Sequence, residues 1–540
     1  MTKFRVTSIL VLLLAFLAAP VLAENEGQND LDEATQLKAT AKSLADLEKV
    51  AQLCEGAIKK GLDEGNTIFA EQLLSASLME YSVKVTEAIF ERKPPHPQWP
   101  LLRRVATKSL ERAVELNDSL GAAHVLLAKL YTLPQGDAKK AQSNIGKAVE
   151  LFKDDKEKLA QALVVKATID PKLADKLKSV ERALEADPGN AEAWQLQAAI
   201  FMAQQDFDKA IESLNKLVEK DDNNATAHKA LAEALAALEK FDDAIHHVTR
   251  ALEINEDDSA GYALRGRIYA MEEKYEESIA DLDTAVKKNP QNAGAILFRA
   301  RVHLVQENLD RAKKDVNFIL QINPTFSEGL VLRSMISAQE KNYTAAIADM
   351  EKVLKQDPSN LQWNLQLGGY LATSGRPRKA VELFTKLVEK NPKSWQARRA
   401  RADTLLTISD HKSAVADYEI ALKEKPDHSG MLNNLAWVLA TAPDDKLRNG
   451  KRAVELATAA CEGTKYEAAH ILSTLAAAYG EIGDFETAKK WSRKAVELGG
   501  DDEVSEQLKK ELESYENKKP WREAQKTEEK PNIKPSTLET

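Results

Sequence analysis

Residues 259–292 read SAGYALRGRIYAMEEKYEESIADLDTAVKKNPQN, and this stretch decides the fold. Its eighth and twentieth positions are small (Gly266, Ser278), its twenty-fourth is large and apolar (Leu282), and a proline (Pro290) stands near its end. Apolar residues recur at i, i+3, i+4 and i+7, the period of an amphipathic helix. The spacing predicts two helices, and the proline cannot continue the second. Sliding the template by 34 residues finds it again from Ala191, Ala225, Ala293, Ser327, Leu361 and Trp395, so seven units in one register fill 191–428. Their eighth positions are Ala198, Ala232, Gly266, Ala300, Ser334, Gly368 and Ala402, and their twentieth Ala210, Ala244, Ser278, Ala312, Ala346, Ala380 and Ala414. The twenty-fourth are Leu214, Val248, Leu282, Val316, Met350, Phe384 and Tyr418, and Pro290, Pro324, Pro358, Pro392 and Pro426 close the last five units. Small residues are expected to let the two helices of a unit approach, and the large ones to fill the gap between neighbouring units. One pair cannot bury its own apolar faces, so the stack forms the core and the fold class is all-α, an α-solenoid.

With Trp194, Tyr262, Gly266, Tyr269, Ala346, Phe384 and the terminal prolines at these places, the units resemble tetratricopeptide repeats. The resemblance implies tandem helix-turn-helix repeats forming a right-handed superhelix, with a concave groove that binds polypeptides. Two further repeats are expected over 429–498, the first with a loop at 442–450 some five residues longer than the template. Their pattern resembles closing blocks of bacterial tetratricopeptide proteins. Degenerate repeats are expected over 99–190, with 158–188 shortened between its helices around Pro171. About eleven units result. Capping helices are expected over 43–98 and 499–516, a proline-rich linker near 93–100, a flexible segment over 24–42 and a disordered tail over 517–540.

Residues 1–23 carry Lys3 and Arg5, an apolar run and the ending Val21-Leu22-Ala23, the pattern of a cleaved secretory signal peptide. Cleavage would move the net charge from -9 to -11. No later run is apolar enough to cross a membrane. The expected location is exported, periplasmic or extracellular, with "bacterial" resting on the resemblance. Mild acidity argues against nucleic acid as a partner. Cys54 and Cys461 lie far apart and are expected as partly buried thiols, with an intermolecular disulfide left open.

Two polar patterns stand out. Arg265, Arg299, Arg333 and Arg401 occupy the seventh position of four units, and Asp281, Asp315, Asp349 and Asp417 the twenty-third of the same units. Where Leu367 replaces the arginine, Leu383 replaces the aspartate. Charge accompanies charge, which predicts an ion pair between the two helices of one repeat. The resemblance assigns the concave face to positions two, five, nine, twelve and thirteen of the first helix, which places Lys229, Arg267, Arg301 and Arg399 there as candidate groove contacts. Arg267 and Arg301 share one place in adjacent units and suit a carboxylate or an acidic segment. Ala199 and Glu233 at position nine of the first two regular units exclude the chaperone-tail clamp of some members.

Enzyme signatures are missing: no Gly-rich phosphate loop, GxSxG, HExxH or paired CxxC occurs. His246 and His247 are adjacent and point to different helix faces, a poor metal pair. No catalytic, cofactor-binding or metal residue is assigned, and no cofactor is expected. Asn117, Asn224 and Asn342 begin glycosylation-like triplets that matter only in a glycosylating host. The expectation is a scaffold or adaptor whose groove holds a protein or peptide client. The alternatives are a structural homo-oligomer without a separate client, and an unrecognised enzyme, since a fold never excludes a grafted site.

Overall fold

The computed structural model describes residues 26–91, 96–499 and 503–523. Among them the chain is helical throughout, without strands, and divides into two compact units, Met1–Asp257 and Asp258–Thr540. The first holds α1 (Gln28–Thr40), α2 (Leu44–Lys60), α3 (Glu64–Phe90), α4 (Trp99–Leu116), α5 (Gly121–Thr132), α6 (Ala138–Leu151), α7 (Lys156–Ile169), α8 (Leu173–Ala186), α9 (Ala191–Gln204), α10 (Phe207–Lys220), α11 (Ala225–Ala237) and α12 (Phe241–Ile254). The second holds α13 (Ser259–Met271), α14 (Tyr275–Lys288), α15 (Ala293–Val305), α16 (Leu309–Ile322), α17 (Ser327–Gln339), α18 (Tyr343–Gln356), α19 (Leu361–Thr373), α20 (Pro377–Lys390), α21 (Trp395–Thr407) and α22 (His411–Glu424). It continues with α23 (Ser429–Thr441), α24 (Gly450–Gly463), α25 (Ala469–Glu481), α26 (Phe485–Leu498) and α27 (Glu503–Glu516), with a short 3-10 turn at Asp445–Leu447. Within each unit, successive helices pack side by side, and alternate helices such as α13, α15 and α17 also touch.

The helices begin at 191, 225, 259, 293, 327, 361 and 395, the starts of the seven sequence units. Each pair is joined by a tight turn whose fifteenth residue has a positive φ: Gln205, Glu239, Glu273, Glu307, Lys341, Gly375 and Ser409. The next residue's N–H then reaches back to the eleventh carbonyl, as from Lys274 to Tyr269 at 2.8 Å and from Asp410 to Leu405 at 3.0 Å. That bond satisfies a carbonyl the ending helix would otherwise leave open. Only one of these left-handed residues is a glycine, so composition does not announce the turn.

Packing adds to one expectation. The large twenty-fourth residue lies between repeats, as Val316 does beside Leu330 and Leu332 and as Tyr418 does where Asn434 donates to its hydroxyl at 3.2 Å, and in two repeats it also fills the space over the small eighth residue of its own helix pair. A Cβ on Gly368 would lie 2.1 Å from Cζ of Phe384, and one on Gly266 2.9 Å from Cγ of Leu282. The aromatic ring needs the missing side chain opposite it, because interiors are close-packed.

The ends differ from expectation as well. The segment expected to be flexible over 24–42 forms α1, whose Leu31 and Ala34 are buried against α2 and α3. Gly27 donates to Gly61 O at 3.2 Å, and a Cβ there would meet Ala57 O at 2.2 Å. α4 packs against α3 across the boundary placed at residue 98. The α7–α8 turn spans 170–172, as long as the 238–240 turn between α11 and α12, so that repeat is not shortened. At the other end the expected disordered tail is wrong for its first residues: Trp521 packs on the C-terminal core, and Glu523 N–H bonds Thr441 O at 3.0 Å. Residues 1–23, where a signal peptide is expected, part of the expected proline-rich linker and residues 524–540 lie outside the described residues.

Candidate functional site

The twenty-third position is the polar hub of a repeat. In the second unit Arg265 grips Asp281 through Nε (2.6 Å) and Nη2 (2.9 Å), and Arg299 grips Asp315 at 2.8 and 2.7 Å. Arg333 holds Asp349 and Arg401 holds Asp417 in the same fork, each at 2.6 and 2.7 Å. All four aspartates are buried, between 4% and 7% exposed. The hydrogen bonds donated to these carboxylates hold the guanidinium groups further above their ordinary pKa, against the opposing pull of burial. The fork geometry is the strong form of this contact.

The third nitrogen does something the sequence pattern left out. Nη1 of Arg299 reaches Asp283 at 2.6 Å, that of Arg401 reaches Thr385 at 3.2 Å, and that of Arg333 reaches Asn317 at 3.4 Å. Each acceptor belongs to the preceding repeat, so the arginine also fixes the register between repeats. Where leucines replace the pair, Leu367 is buried and Leu383 packs beside it in the same apolar cluster. In the first unit the hub is uncharged at α9–α10, where Ser213 donates to Gln197 at 2.9 Å.

The fourth position carries a second device. Its donor side chain reaches back six residues to a turn carbonyl: Trp194 to Pro188 at 2.8 Å, His228 to Asp222 at 3.1 Å, Asn364 to Pro358 at 3.1 Å, and Arg398 to Pro392 at 3.0 Å. Four residue types do one job, which is why periodicity missed it. His228 also places its Nδ1 3.0 Å from Nδ1 of His247. Burial, and then the His228 and His246 imidazoles, hold the His247 pKa below its usual value. Among the described residues no group of three or more His, Cys, Asp or Glu side chains is placed to hold a metal ion.

The groove candidates separate into engaged and unengaged cations. Arg399 already faces His428 at 3.3 Å and Asp403 at 3.4 Å, and Lys229 is a half-buried residue of α11 in the first unit. Arg267 and Arg301 are exposed on α13 and α15, two helices in contact, and among the described residues neither has an ion-pair partner. The Arg267 guanidinium lies 5.8 Å from the Phe298 ring centre, a cation–π contact that orients it without neutralising it. One turn further along the same helix faces stand Met271, 49% exposed, and Val305, 62% exposed, and Met335 on α17 is 43% exposed. Two unneutralised guanidinium groups beside three exposed apolar side chains can hold a carboxylate-bearing, partly apolar chain. The family resemblance singled out the two arginines, and only the structure shows the exposed apolar side chains on the same helices.

Both cysteines are buried, and burial pushes the Cys54 thiol up to about 12 and Cys461 to about 11. Among the described residues no helix is long and apolar enough to cross a membrane.

Family models described as tetratricopeptide repeat match residues 177–228, 201–268, 264–316, 337–405, 399–466 and 469–499, together more than half of the chain. No curated protein matches the chain. Among solved structures, the tetratricopeptide repeat domain of P58(IPK) is 15% identical over 80% of this chain and 98% of its own. Its TM-score of 0.26 carries no argument. The chain belongs to the tetratricopeptide repeat family, whose stacked helix pairs serve in general as scaffolds for protein–protein interaction.

Proposed function

We propose that this protein is an adaptor that works outside the cytoplasm and holds a polypeptide client on the first-helix face of α13, α15 and α17. One observation carries the reading: Arg267 and Arg301 repeat at the same place on neighbouring helices, exposed and without a carboxylate partner, while the four seventh-position arginines are all neutralised. A folded protein neutralises the charges it buries and leaves exposed those that meet a partner or water. The apolar side chains beside them supply the area, and the guanidinium groups supply orientation and selection. Binding is then largely a matter of a preformed face accepting an extended or helical segment. The extracytoplasmic location rests on the leader pattern in residues 1–23.

The test compares wild type with the Arg267→Glu, Arg301→Glu double variant. Each is cross-linked in extract of the source cells, and recovered proteins are identified. A protein recovered by wild type and lost with the double variant is the expected result. Recovery of the bait alone in both cases overturns the reading and favours a homo-oligomer, which sedimentation of the pure chain would then show.

A further inference from the structure

The 442–450 loop, which no repeat function has absorbed, leads to a second site. In the regular repeats the tight turn returns an N–H to the last carbonyls of the first helix, as at Asp410 to Leu405 and Asp484 to Tyr479. α23 has no such turn. Its following loop returns Ala442 N–H to Val438 O at 3.0 Å and Asn449 N–H to Leu439 O at 2.8 Å. The carbonyls of Ala440 and Thr441 are left for an outside segment, at the negative end of the helix dipole.

That segment is the chain's own. After α27, Lys518 takes a positive φ and residues 519–523 return across the end of α23. Trp521 packs on the C-terminal apolar cluster. Arg522 lies 2.6 Å from Glu481, a carboxylate already held by Arg448 at 3.1 Å, and donates to Ala440 O at 3.3 Å. Glu523 donates its N–H to Thr441 O at 3.0 Å, and its carboxylate lies 3.3 Å from Nε2 of His411. The anchors belong to three successive repeats, at the end of α25, the end of α23 and the start of α22.

We propose that this slot is an exchangeable peptide site, with residues 519–523 as its resting occupant, and that it accepts an extended partner segment presenting an aromatic residue followed by arginine and a carboxylate. The chemistry of the slot dictates that order: an apolar seat, then a carboxylate with two helix-end carbonyls, then an imidazole. The anchor is three residues long, with one main-chain bond, one ion pair, one long side-chain bond to Ala440 O and the packing of a half-buried Trp521, few enough contacts to open without unfolding the repeats beneath it. Tethering keeps the strap at an effective concentration of order millimolar, so only a segment with the same pattern displaces it. The site is separate from the Arg267–Arg301 face and does not depend on it.

The probe is a fluorescein-labelled peptide of residues 517–527, titrated against the full chain and against a variant ending at residue 518. The shortened variant should bind at least about 10-fold more tightly than the full chain, because the tethered competitor is gone. A peptide carrying Arg522→Glu should lose at least about 10-fold against the same variant. Hydrogen exchange of the untruncated chain should show the Glu523 amide, which bonds Thr441 O, opening far faster than those of α25. The proposal is overturned if the shortened variant, with α23 and α25 protected as in wild type, binds the peptide no better than the full chain. It is equally overturned if the Glu523 amide exchanges as slowly as the α25 core.

Discussion

Replacing Asp349 by leucine should damage the protein more than replacing Asp349 and Arg333 together. Asp349 is 4% exposed and takes both Nε and Nη2 of Arg333, whose side chain is 28% exposed. Removing the carboxylate leaves a mostly buried guanidinium with one long contact, to Asn317 at 3.4 Å. Breaking a buried pair costs ~3–5 kcal/mol, and the partial exposure of Arg333 lowers that to about 2.5 kcal/mol. Replacing both partners by leucine is close to neutral in principle, and the chain already does so with Leu367 and Leu383. The double variant should therefore recover most of the loss. A repeat array does not unfold as one two-state body, so the readout must be local. Hydrogen exchange of α17 and α18 peptides serves, and about 2.5 kcal/mol corresponds to roughly 70-fold faster exchange in Asp349→Leu. The same experiment at Asp315→Leu should give a smaller effect, because Arg299 keeps Asp283 at 2.6 Å. A double variant that exchanges as fast as Asp349→Leu, or faster, refutes the pairing argument.

Three further outcomes follow from the geometry. Gly368→Ala should destabilise α19–α20 by about 1–3 kcal/mol, because its new Cβ would sit 2.1 Å from the Phe384 ring, and adding Phe384→Leu should restore stability, read by local hydrogen exchange. His303 is 4% exposed with Nδ1 unpartnered, and burial, its largest influence, lowers its pKa below the ordinary 6.5. The unfolded chain then binds the proton more readily, so stability falls as pH drops through 6.5 towards the folded value; α15–α16 should lose protection between pH 7.5 and 5.5, and His303→Leu should remove that dependence. Cys54 and Cys461 should resist alkylation in the native chain and give no disulfide-linked dimer on a non-reducing gel under mild oxidant, reacting only after denaturation; a native cross-link would show that one of these buried thiols opens to solvent.

How much of this was legible without coordinates depends on whether the signal is periodic. The helix pairs were, because a 34-residue spacing of small and large residues repeats seven times, and each repetition reinforces the register. The Arg–Asp forks were as well, since their two members appear and vanish together, as Leu367 and Leu383 do. The fourth-position donors were not, because tryptophan, histidine, asparagine and arginine all reach the same carbonyl and share no pattern. The left-handed turn residues were hidden in the same way, with glutamate, lysine, glutamine and serine standing where glycine would have been recognised.

The sequence by itself determined the local rules: which stretches are helical, where each pair turns, and which charges must meet within one repeat. These are short-range consequences of side-chain volume and of the cost of burying an unpaired charge. Tertiary structure decided what lies between segments far apart in the chain. It set Phe384 over Gly368 inside one repeat, extended Arg299 to Asp283 of the preceding repeat, and left Met271, Val305 and Met335 exposed on three helices in contact, two of which carry Arg267 and Arg301. It also folded α1 onto α2 and α3, and brought Arg522 to Glu481 and Glu523 to His411. The contacts at the two ends of the chain occur once each, so no periodicity could announce them, and the contacts between repeats vary in their acceptor, from Asp283 to Asn317 to Thr385.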